Sequence, residues 1–597
     1  MSFTHLHVHS HYSLNDSINP IDKLVEKAKQ LNATALAVSE HGSLRSSYDF
    51  WKECSKRNIK PILGIEAYIV DDHTQRNPDE KNKHILLLAQ NEVGWNNLKE
   101  LSAIAAIDGF YRNPRIDLDL LKRFNQGIIC TTACVGGVLS WELCKADPEQ
   151  ETTRCGRGMQ WAIYYFRKLL EIFGTDRFFL EIQLLDMVNQ HYANQMMLSL
   201  SQKFNVPLVL TTDCHYLNAE EAKVHDILIR SARSKTLADG EGYCYGTDQI
   251  WMKSEQEIWD TYYNQPFRYI SPDQIKSAMA NTVAIAESVE SYRPYKTKDT
   301  YPKFTTDKFE DDTFKFLCAL AWKGFKEKGL DKQSLEEQNE KYKARLFSEL
   351  KAIKESGFTD YFLIVWDIIN YARQIDTLIG CGRGSMSGSL VFYCLGCVTL
   401  DPITYNLPFE RFLKPGQRVS PPDADLDFEA VKVPEIVAYI KQKYGKDKVC
   451  NISTSNTLQL RGAVKDVARV FGIDFAETNS ATEKIPFKAR SFKELDEIKE
   501  SKEKTIIQSY FDAHPEVERI ARRLEGTPKH PSVHAAGILI TPTKTQDWIP
   551  VGYVATSETK VCEWDMYAIE EINLLKVDIL RLNTLDIIKK ILGMINF

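Results

Sequence analysis

Short apolar segments alternate with stretches of helical pattern from the start of the sequence to about position 225. Six of these segments read "ATALAVS", "IKPILGIEAYIV", "HILLLAQ", "GIIC", "FFLEI" and "VPLVLTTD". Strands that alternate with helices of roughly 10 to 15 residues are typical of an α/β domain, and we expect a barrel. The rim at the strand ends carries the chemistry of such barrels. Polar residues that follow the strands here are Glu66, Cys134, Glu181, Asp213 and His215.

The chain has 597 residues, which is long enough for several domains, and its 43% hydrophobic and 26% charged residues indicate a globular protein. No apolar run reaches the roughly 18 residues of a membrane span, and the polar start "MSFTHLHVHS" is no signal peptide. Thirteen scattered cysteines predict a reducing, cytoplasmic location. Cys394 and Cys397 form a CxxC pair without a second pair or a nearby histidine, which favours a buried structural role over a zinc site.

The beginning of the sequence places four histidines two positions apart, in "HLHVHSHYS": His5, His7, His9 and His11. On a strand, all four imidazoles would share one face. Core packing does not require this pattern, whereas imidazole binds zinc, manganese or iron, and carboxylate or thiolate can complete the shell. Ten of the 13 histidines lie at or before position 225, so the pattern predicts a metal site in this part of the chain.

The stretch "PPDADLDFE", residues 421–429, carries Asp423, Asp425 and Asp427 at alternating positions. Three carboxylates on one strand face repel one another unless cations lie between them. Two Mg²⁺ ions about 3.5–4 Å apart play that role in polymerases and nucleases. The alternative is an exposed edge strand whose acids guard against aggregation.

A loop of small residues, "GCGRGSMSGS", lies upstream of this stretch and offers backbone N–H groups and Arg383 to a polyphosphate. It is not a Walker A loop, since no Lys-Ser or Lys-Thr follows its last glycine. Such a loop together with paired carboxylates favours a nucleotidyltransferase.

The net charge of −6 does not indicate a polyanion-binding protein, but the distribution of charge is uneven. Residues 430–470 contain eight Lys or Arg against three acids. This local excess predicts contact with a phosphate backbone, and a solvated helix face remains an equal alternative. The candidate DNA-binding residues are Lys441, Lys443, Lys446, Arg461, Lys465 and Arg469.

The motifs of the first part resemble the PHP (polymerase and histidinol phosphatase) domain of bacterial replicative polymerases: "HLHVHSHYSLND", "SEHGS", "PILGIEAY", "HILLLAQNEVGWNNL", "TTACVGG" and "TTDCHYL". The resemblance implies up to three bound ions, Zn²⁺ or Mn²⁺/Fe, and 3′–5′ exonuclease or phosphoesterase action. The implied ligands are His7, His9, Asp16, His41, Glu66, His84, Cys134, Asp213 and His215. Glu40 stands where that family usually has Asp, a change that could shift His41 by a methylene. His5 and His11 have no ligand role in the family and are interpreted as neighbours.

The later motifs resemble the palm and thumb of bacterial family C polymerases, the alpha subunits of DNA polymerase III: "GFTDYFLIVWDIINYARQ", "GRGSMSGSLV", "DPITYNLPFERFL", "PPDADLDFE", "YIKQKYG", "RGAVKDVARVFG", "HAAGILITPT" and "LLKVDILRLNTL". The resemblance implies catalytic, metal-binding Asp425, Asp427 and Asp578, with two Mg²⁺, a dNTP and primer–template DNA. Asp423 shares the strand but has no primary ligand role in the family. The implied nucleotide-binding residues are Gly382, Arg383, Gly384, Ser385, Ser387, Gly388, Ser389, Arg411, Arg418 and Lys576.

These resemblances predict an α/β and α+β multidomain fold. An N-terminal PHP barrel of (β/α)7 type would be followed by a palm like that of DNA polymerase beta, with an inserted helical thumb. The expected boundaries are residues 1–270 for the PHP domain, 271–430 and 511–597 for the two parts of the palm, and 431–510 for the thumb.

The sequence departs from the family in several places. "TSNTLQL" stands where a Phe-Gly is usual, and Arg581 stands where a glycine is usual. The fingers, clamp-binding and OB regions of the family are not represented, so we expect a fragment or one part of a split polymerase, with a second polypeptide or C-terminal region as partner and no membrane. Two alternatives stay open: the PHP domain supplies the only activity, or the chain is a catalytically silent DNA-binding scaffold.

Overall fold

A computed structural model describes residues 3–144, 154–240, 242–266, 268–298, 300–307, 309–332, 336–414, 422–499 and 502–595. The chain divides into two compact units. The first comprises residues 1–294, 455–532 and 550–553, and the second comprises residues 295–454, 533–549 and 554–597. The domain boundaries expected above stay a prediction. No helix of the described part of the chain is long and apolar enough to cross a membrane.

The part of the first unit that ends at Pro294 folds into strands and helices that alternate as the sequence predicted. The strands are β1 (Ala35–His41), β2 (Lys60–Ile69), β3 (Lys83–Ala89), β4 (Arg115–Ile116), β5 (Ile128–Thr131), β6 (Phe178–Gln183) and β7 (Leu208–Thr211). The helices are α1 (Ile21–Gln30), α2 (Ser47–Arg57), α3 (Glu92–Ile107), α4 (Leu118–Phe124), α5 (Ser140–Cys144), α6 (Arg154–Arg177), α7 (Val188–Phe204), α8 (Ala222–Ala232), α9 (Glu255–Asn264) and α10 (Pro272–Ser288). All six strands expected from the apolar segments are confirmed.

These strands form one seven-stranded sheet in the order β1-β2-β3-β5-β6-β7, with β4 paired to β2. The sheet is mixed, since β3 runs antiparallel to β2 and β5 while the other pairs are parallel. The mixed α/β architecture of this unit confirms the predicted fold class. Residues 5–11 form no regular strand; the segment makes one isolated bridge, between Val8 and Cys214, and single backbone hydrogen bonds to Ala37 and Ser39 of β1.

The second segment of the first unit, residues 455–532, contains a helical cluster. Its helices are α16 (Leu460–Val470), α17 (Phe475–Glu483), α18 (Phe492–Glu497), α19 (Lys502–Ala513) and α20 (Pro515–Leu524). In α20, Val517, Ile520, Ala521 and Leu524 recur at helical spacing and are buried, so burial of one apolar face holds the helix in place. That face shares an apolar core with α16 and α8.

The second unit begins with α11 (Thr313–Glu327), α12 (Glu336–Glu355), α13 (Thr359–Gln374), α14 (Leu390–Cys394), β8 (Asp425–Glu429), α15 (Val433–Tyr444) and β9 (Val449–Thr457). The remaining elements along the chain are β10 (Pro528–Ile540), β11 (Val551–Val554), β12 (Thr559–Cys562), α21 (Met566–Glu571), β13 (Leu575–Leu582) and α22 (Asn583–Ile595). Five of these strands are neighbours in the order β12-β9-β10-β13-β8.

One register in this sheet positions the predicted aspartates. Strands β8 and β13 pair in parallel, with Asp425 opposite Asp578 and Asp427 opposite Leu580. Leu426 and Phe428 are buried on the other face of β8, as the period of two requires. The same core contains Cys394 and Cys397, which are free and buried. Their predicted burial is confirmed.

Candidate metal centres

The nine residues predicted as ligands in the first unit lie in one buried cluster. Glu66 at the centre of this cluster is fully buried and reaches several imidazoles. Its Oε2 lies 2.8 Å from His41 Nδ1 and 3.4 Å from His9 Nε2. Its Oε1 lies 3.0 Å from His84 Nδ1 and 3.6 Å from Cys134 Sγ. One carboxylate therefore touches ligand candidates from four separate segments of the chain.

Two further carboxylates extend the cluster. Asp213 Oδ1 lies 3.3 Å from His7 Nε2 and 3.4 Å from His9 Nε2. Asp16 Oδ2 lies 2.7 Å from His41 Nε2 and 3.2 Å from His215 Nε2. Three overlapping groups of donors have the spacing of a metal site: His9, His41 and His215; His7, His9 and Glu66; His41, Glu66 and His84.

The charges of this cluster shift the pKa values of its members strongly. Burial, together with the nearby His41 and His215 rings, lowers the pKa of His9 to about 3. Burial alone would raise the pKa of Asp16, but His215 and His41 hold it well below its usual range. Burial, reinforced by Glu66, raises the pKa of the Cys134 thiol. The charges of the imidazoles and of the carboxylates in this cluster thus neutralise one another only in part.

The fit of this cluster to a cation rests on buried polar atoms that contact one another without a well-directed hydrogen bond. Five buried polar atoms at its centre make no hydrogen bond within the described chain: His7 Nε2, His9 Nε2, His41 Nδ1, Glu66 Oε2 and Asp213 Oδ1. Buried polar atoms are nearly always paired in native proteins. Nitrogen, carboxylate and thiolate donors are the ligands of zinc and of related transition metals. The residues therefore fit bound metal.

Sequence reasoning noted Glu181 as a polar residue at a strand end but did not predict that it orients a ligand. Glu181 Oε1 lies 2.7 Å from His7 Nδ1, and Glu181 also accepts hydrogen bonds from Thr131 and Thr211. The Asp213 carbonyl accepts a hydrogen bond from His215 Nδ1 at 2.7 Å. Such partners fix the ring and its tautomer. The position of Glu181 at a strand end was the only signal in the sequence.

Two of the four leading histidines lie apart from the cluster. His5 bonds to the Thr212 hydroxyl at 3.1 Å and to the Lys253 carbonyl at 3.0 Å. His11 stacks edge-on against Tyr12. The Glu40 carboxylate accepts hydrogen bonds from the hydroxyls of Ser10 and Ser13.

A second carboxylate cluster lies in the second unit, on β8 and β13. Oxygens of Asp423, Asp425 and Asp578 lie within 4.8 Å of one another. Asp578 Oδ1 is buried and has no hydrogen-bond partner among the described residues. Burial raises the pKa of Asp423, and Asp578 and Asp425 add to this rise while Lys576 opposes it. Three carboxylates meet here with Lys576 and Arg383 as the nearby cations, so the negative charge is compensated only in part, which fits divalent cations with oxygen ligands.

Asp427 lies outside this group of three. Its Oδ1 is 3.2 Å from Arg383 Nε, and the Arg383 guanidinium also lies 3.9 Å from Asp425. Burial raises the pKa of Asp427 in spite of that guanidinium. Lys576 Nζ, on β13, lies 3.1 Å from Asp578, 2.9 Å from Glu570 and 3.8 Å from Asp423.

The glycines of the small-residue loop allow the loop to approach the aspartates closely. Gly384 has a φ of +64°, and a Cβ on it would lie 3.2 Å from Asp425 Oδ2. A Cβ on Gly380 would lie 2.7 Å from the Cβ of Asp427. Both positions therefore favour glycine, because a side chain would strain the backbone or collide with β8.

The end of the loop is occupied by a buried carboxylate that the sequence analysis missed. Glu349 accepts hydrogen bonds from the backbone N–H groups of Leu390 and Val391, both at 3.0 Å, and from the Ser389 hydroxyl at 3.0 Å. Arg345 donates to Glu349 at 2.6 Å and to the Gly388 carbonyl at 2.9 Å. The signal was the spacing of four between Arg345 and Glu349 on a helix.

The other predicted nucleotide-binding residues differ in their surroundings. Ser387 and Gly388 are buried, Ser385 and Gly382 are half-buried, and Arg411 is exposed. Arg418 lies outside the described residues. Tyr361 was not predicted: its hydroxyl is buried without a partner in the described chain, and burial together with Asp423, Asp578 and Asp425 raises its pKa well above the usual value.

The six candidate DNA-binding residues lie in different units. Lys441, Lys443 and Lys446 are in the second unit. The other three belong to the first unit, where Arg461 bonds to the Ile485 carbonyl and Lys465 to Asn479. A cleft of about 590 Å³ lies beside Arg461. Its lining includes Gln459, Arg490, Lys529 and the highly exposed Phe487.

Comparison with known proteins matches both parts of the chain. Residues 5–184 match the PHP domain model, and residues 315–581 match the model described as the bacterial DNA polymerase III alpha NTPase domain. The chain is similar to three proteins named DNA polymerase III subunit alpha. That of Borreliella burgdorferi is 36% identical over 98% of this chain and 49% of the relative. That of Aquifex aeolicus is 33% identical over 98% of this chain and 52% of the relative. That of Treponema pallidum is 32% identical over 99% of this chain and 48% of the relative. The chain spans about half the length of these relatives.

Proposed function

We propose that the chain belongs to the bacterial DNA polymerase III alpha family and that its second unit carries the centre for template-directed DNA synthesis from dNTPs. The observation that supports this most directly is the register that sets Asp425 opposite Asp578, with Asp423 in the same cluster. Primer–template DNA and a dNTP are the substrates in this proposal. A second polypeptide or further region would supply the fingers and the binding of a sliding clamp.

Asp425, Asp427 and Asp578 would hold two Mg²⁺ ions, because magnesium prefers carboxylate and phosphate oxygens. When bound, such ions raise the acidity of the attacking primer hydroxyl and neutralise charge on the phosphates. Arg383 and Lys576 already lie against these carboxylates and are the nearest fixed cations for a triphosphate. The loop from Gly382 to Ser387 would place backbone N–H groups beside the phosphates, while Ser389 is engaged by Glu349. Arg411 and Arg418 complete the proposed phosphate contacts.

Primer extension with Mg²⁺ tests this proposal. The chain is assayed alone and together with a polypeptide that represents the part of the relatives that it does not span. Asp425→Asn should abolish extension, while Glu435→Gln, which changes an acid near Lys432 on helix α15, should leave it intact. Extension by Asp425→Asn at the normal rate would contradict the assignment.

The DNA contacts are proposed for the six basic residues named above. The slope of log affinity against log salt is negative, and each phosphate that a lysine no longer neutralises reduces its magnitude by about 0.9. Lys443→Ala with Lys446→Ala should therefore reduce the salt dependence of DNA binding. The salt dependence of DNA binding by Arg469→Ala is compared with that of the lysine variant, because Arg469 is already hydrogen-bonded to the Ser231 carbonyl at 2.9 Å within its own unit.

The buried histidine cluster of the first unit supports a second activity, metal-dependent 3′–5′ exonuclease or phosphoesterase action. The supporting observation is the set of five buried polar atoms without hydrogen-bond partners in the described chain. The nine residues from His7 to His215 would hold up to three ions, Zn²⁺ or Mn²⁺/Fe. Such ions polarise a phosphoryl oxygen and make water acidic at neutral pH. A cytoplasmic location belongs to the same proposal.

Metal analysis of the purified chain and hydrolysis of a 3′-labelled DNA strand test this second activity. His9→Ala should lower both the metal content and the hydrolysis. Retention of full hydrolysis by His9→Ala, or absence of transition metal from the wild-type protein, would contradict it.

A further inference from the structure

The Ser13 hydroxyl lies between Glu40 and two predicted ligands. Ser13 Oγ donates to Glu40 Oε2 at 2.6 Å. The same oxygen lies 2.8 Å from His9 Nδ1 and accepts a hydrogen bond from the backbone N–H of His41 at 3.2 Å. A hydroxyl has one proton and two lone pairs. With the proton donated to Glu40 and one lone pair accepting from His41, one lone pair is left for the contact with His9.

The tautomer of His9 follows from this count. Because the single proton of Ser13 goes to Glu40, the hydroxyl can only accept from His9, and Nδ1 must carry the proton. The lone pair of the neutral ring then lies on Nε2. That atom is 3.4 Å from both Glu66 Oε2 and Asp213 Oδ1, and since these oxygens are acceptors as well, a cation between the three atoms would satisfy all of them. The ring therefore presents a lone pair to the centre of the cluster.

Glu40 is itself held as an acceptor. Its side chain is fully buried, and the backbone N–H of Ser10 donates to Oε2 at 3.1 Å. The Ser10 hydroxyl donates to Oε1. Three donors from Ser10 and Ser13 thus converge on the two oxygens of Glu40, and the Ser13 hydroxyl links this carboxylate to the His9 ring.

We propose that Glu40 is a positioning residue of the metal centre, which acts through the Ser13 hydroxyl to hold His9 with its Nε2 lone pair towards the metal. The inference rests on the proposed metal-binding function of the first unit. Without the Glu40 carboxylate, the Ser13 hydroxyl is free to turn and donate to Nδ1. The proton of His9 then moves to Nε2, and this nitrogen can no longer bind a cation. Loss of such an orienting partner typically lowers metal affinity about 10- to 100-fold.

The experiment compares the full chain with Glu40→Leu, Ser13→Ala and Glu40→Asp. Asp226→Asn is the matched control, since Asp226 is a buried carboxylate that pairs with Arg230 at 2.7 Å in the same unit. Zn²⁺ retained at a fixed free concentration is measured by elemental analysis. The protonated ring nitrogen of His9 is identified by ¹⁵N NMR in the metal-free protein, with His9→Gln for assignment.

We expect Nδ1–H in the wild-type protein and an increase of Nε2–H in Glu40→Leu, with about 10- to 100-fold lower affinity for Zn²⁺. Ser13→Ala, which removes a single buried oxygen, should lower the affinity to a similar extent in a folded protein. Glu40→Asp should retain the Nδ1–H form, and Asp226→Asn should match the wild type in both measurements.

Two outcomes separate this inference from the proposed function. If the wild-type protein binds no Zn²⁺ while the tautomer of His9 still responds to Glu40, the metal-binding function fails and the positioning of His9 stands. If the wild-type protein binds Zn²⁺ and neither Glu40→Leu nor Ser13→Ala changes the affinity or the tautomer, the inference is overturned. An Nε2–H ring in the metal-free wild-type protein would overturn it as well.

Discussion

Replacing Glu349 by alanine should loosen the end of the small-residue loop. The carboxylate is 1% exposed and accepts four hydrogen bonds: from Leu390, Val391, Ser389 and Arg345. After its removal, the Ser389 hydroxyl can turn to another acceptor, and the Arg345 side chain, which is 26% exposed, can reach water. The backbone N–H groups of Leu390 and Val391 cannot turn to another acceptor.

The free-energy cost of removing the Glu349 carboxylate follows from these two N–H groups. Each buried donor left without a partner costs about 1–3 kcal/mol, so both together should cost about 3 kcal/mol if water reaches them in part. A difference of about 1.4 kcal/mol is tenfold in an equilibrium constant. Opening of this segment should therefore become roughly 100-fold more frequent. Glu349→Gln should have an intermediate effect, because an amide keeps one acceptor oxygen and turns two donors towards the remaining donors.

Native-state hydrogen exchange measures this opening at single amides. Protection of Leu390 and Val391 should fall about 100-fold in Glu349→Ala, by the same conversion. Asp367→Asn is the matched control: Asp367 is a buried carboxylate on helix α13 that accepts from the Tyr439 and Tyr444 hydroxyls at 2.9 Å. Unchanged protection of Leu390 and Val391 in Glu349→Ala, or an equal loss in Asp367→Asn, would refute the reasoning.

Three further outcomes are expected. Asp578→Asn should abolish nucleotide incorporation while the urea unfolding midpoint rises or stays constant, because a repelling charge is removed; a fall in the midpoint would contradict this. Burial lowers the pKa of Lys253 to about 7, whereas the pKa of an unfolded lysine is near 10.4. Between about pH 7 and pH 10.4 the unfolded chain therefore binds one proton more than the folded chain. The free energy of unfolding rises with pH in this window, by at most about 1.4 kcal/mol per pH unit. Lys253→Met should flatten that rise in urea titrations, and equal pH profiles would exclude the effect. Treatment with a chelator should lower the melting temperature of the first unit, since the carboxylates of Glu66, Asp213 and Asp16 then lack a cation; His9→Ala should show no such shift.

Local sequence pattern predicted the strands of the first unit because each one is a short apolar run bounded by turn residues. The segment from His5 to His11 does not form a regular strand, because period two describes only side-chain direction: its backbone makes isolated hydrogen bonds to β1 and to Cys214 but no continuous ladder, and its one bridge is at Val8. The mixed direction of the sheet was not predicted either, because the antiparallel pairing of β3 depends on tertiary contacts.

In the candidate sites too, some residues could be predicted from the sequence and others could not. Family motifs pointed to residues such as His9, Glu66 and Asp578, which the structure brings into two clusters. The residues that orient them carry no such motif. Glu349 and Glu181 look like ordinary helix and strand acids, and only their burial and their hydrogen bonds identify them. Ser13 was unremarked for the same reason, since a single hydroxyl acquires its role from what surrounds it.

The pairing of β8 with β13 has a consequence for biosynthesis. Asp425 and Asp578 are adjacent in the sheet, yet helices α15 to α21 lie between them in the chain. A ribosome that makes this protein releases Asp425 long before Asp578, and contacts so distant in sequence form late because the loop between them must first close. The nascent chain therefore carries β8 without its partner strand while all of these helices are made. During that time Asp425 faces only the carboxylates of its own stretch, and Asp578 adds its charge when the last strand joins the sheet.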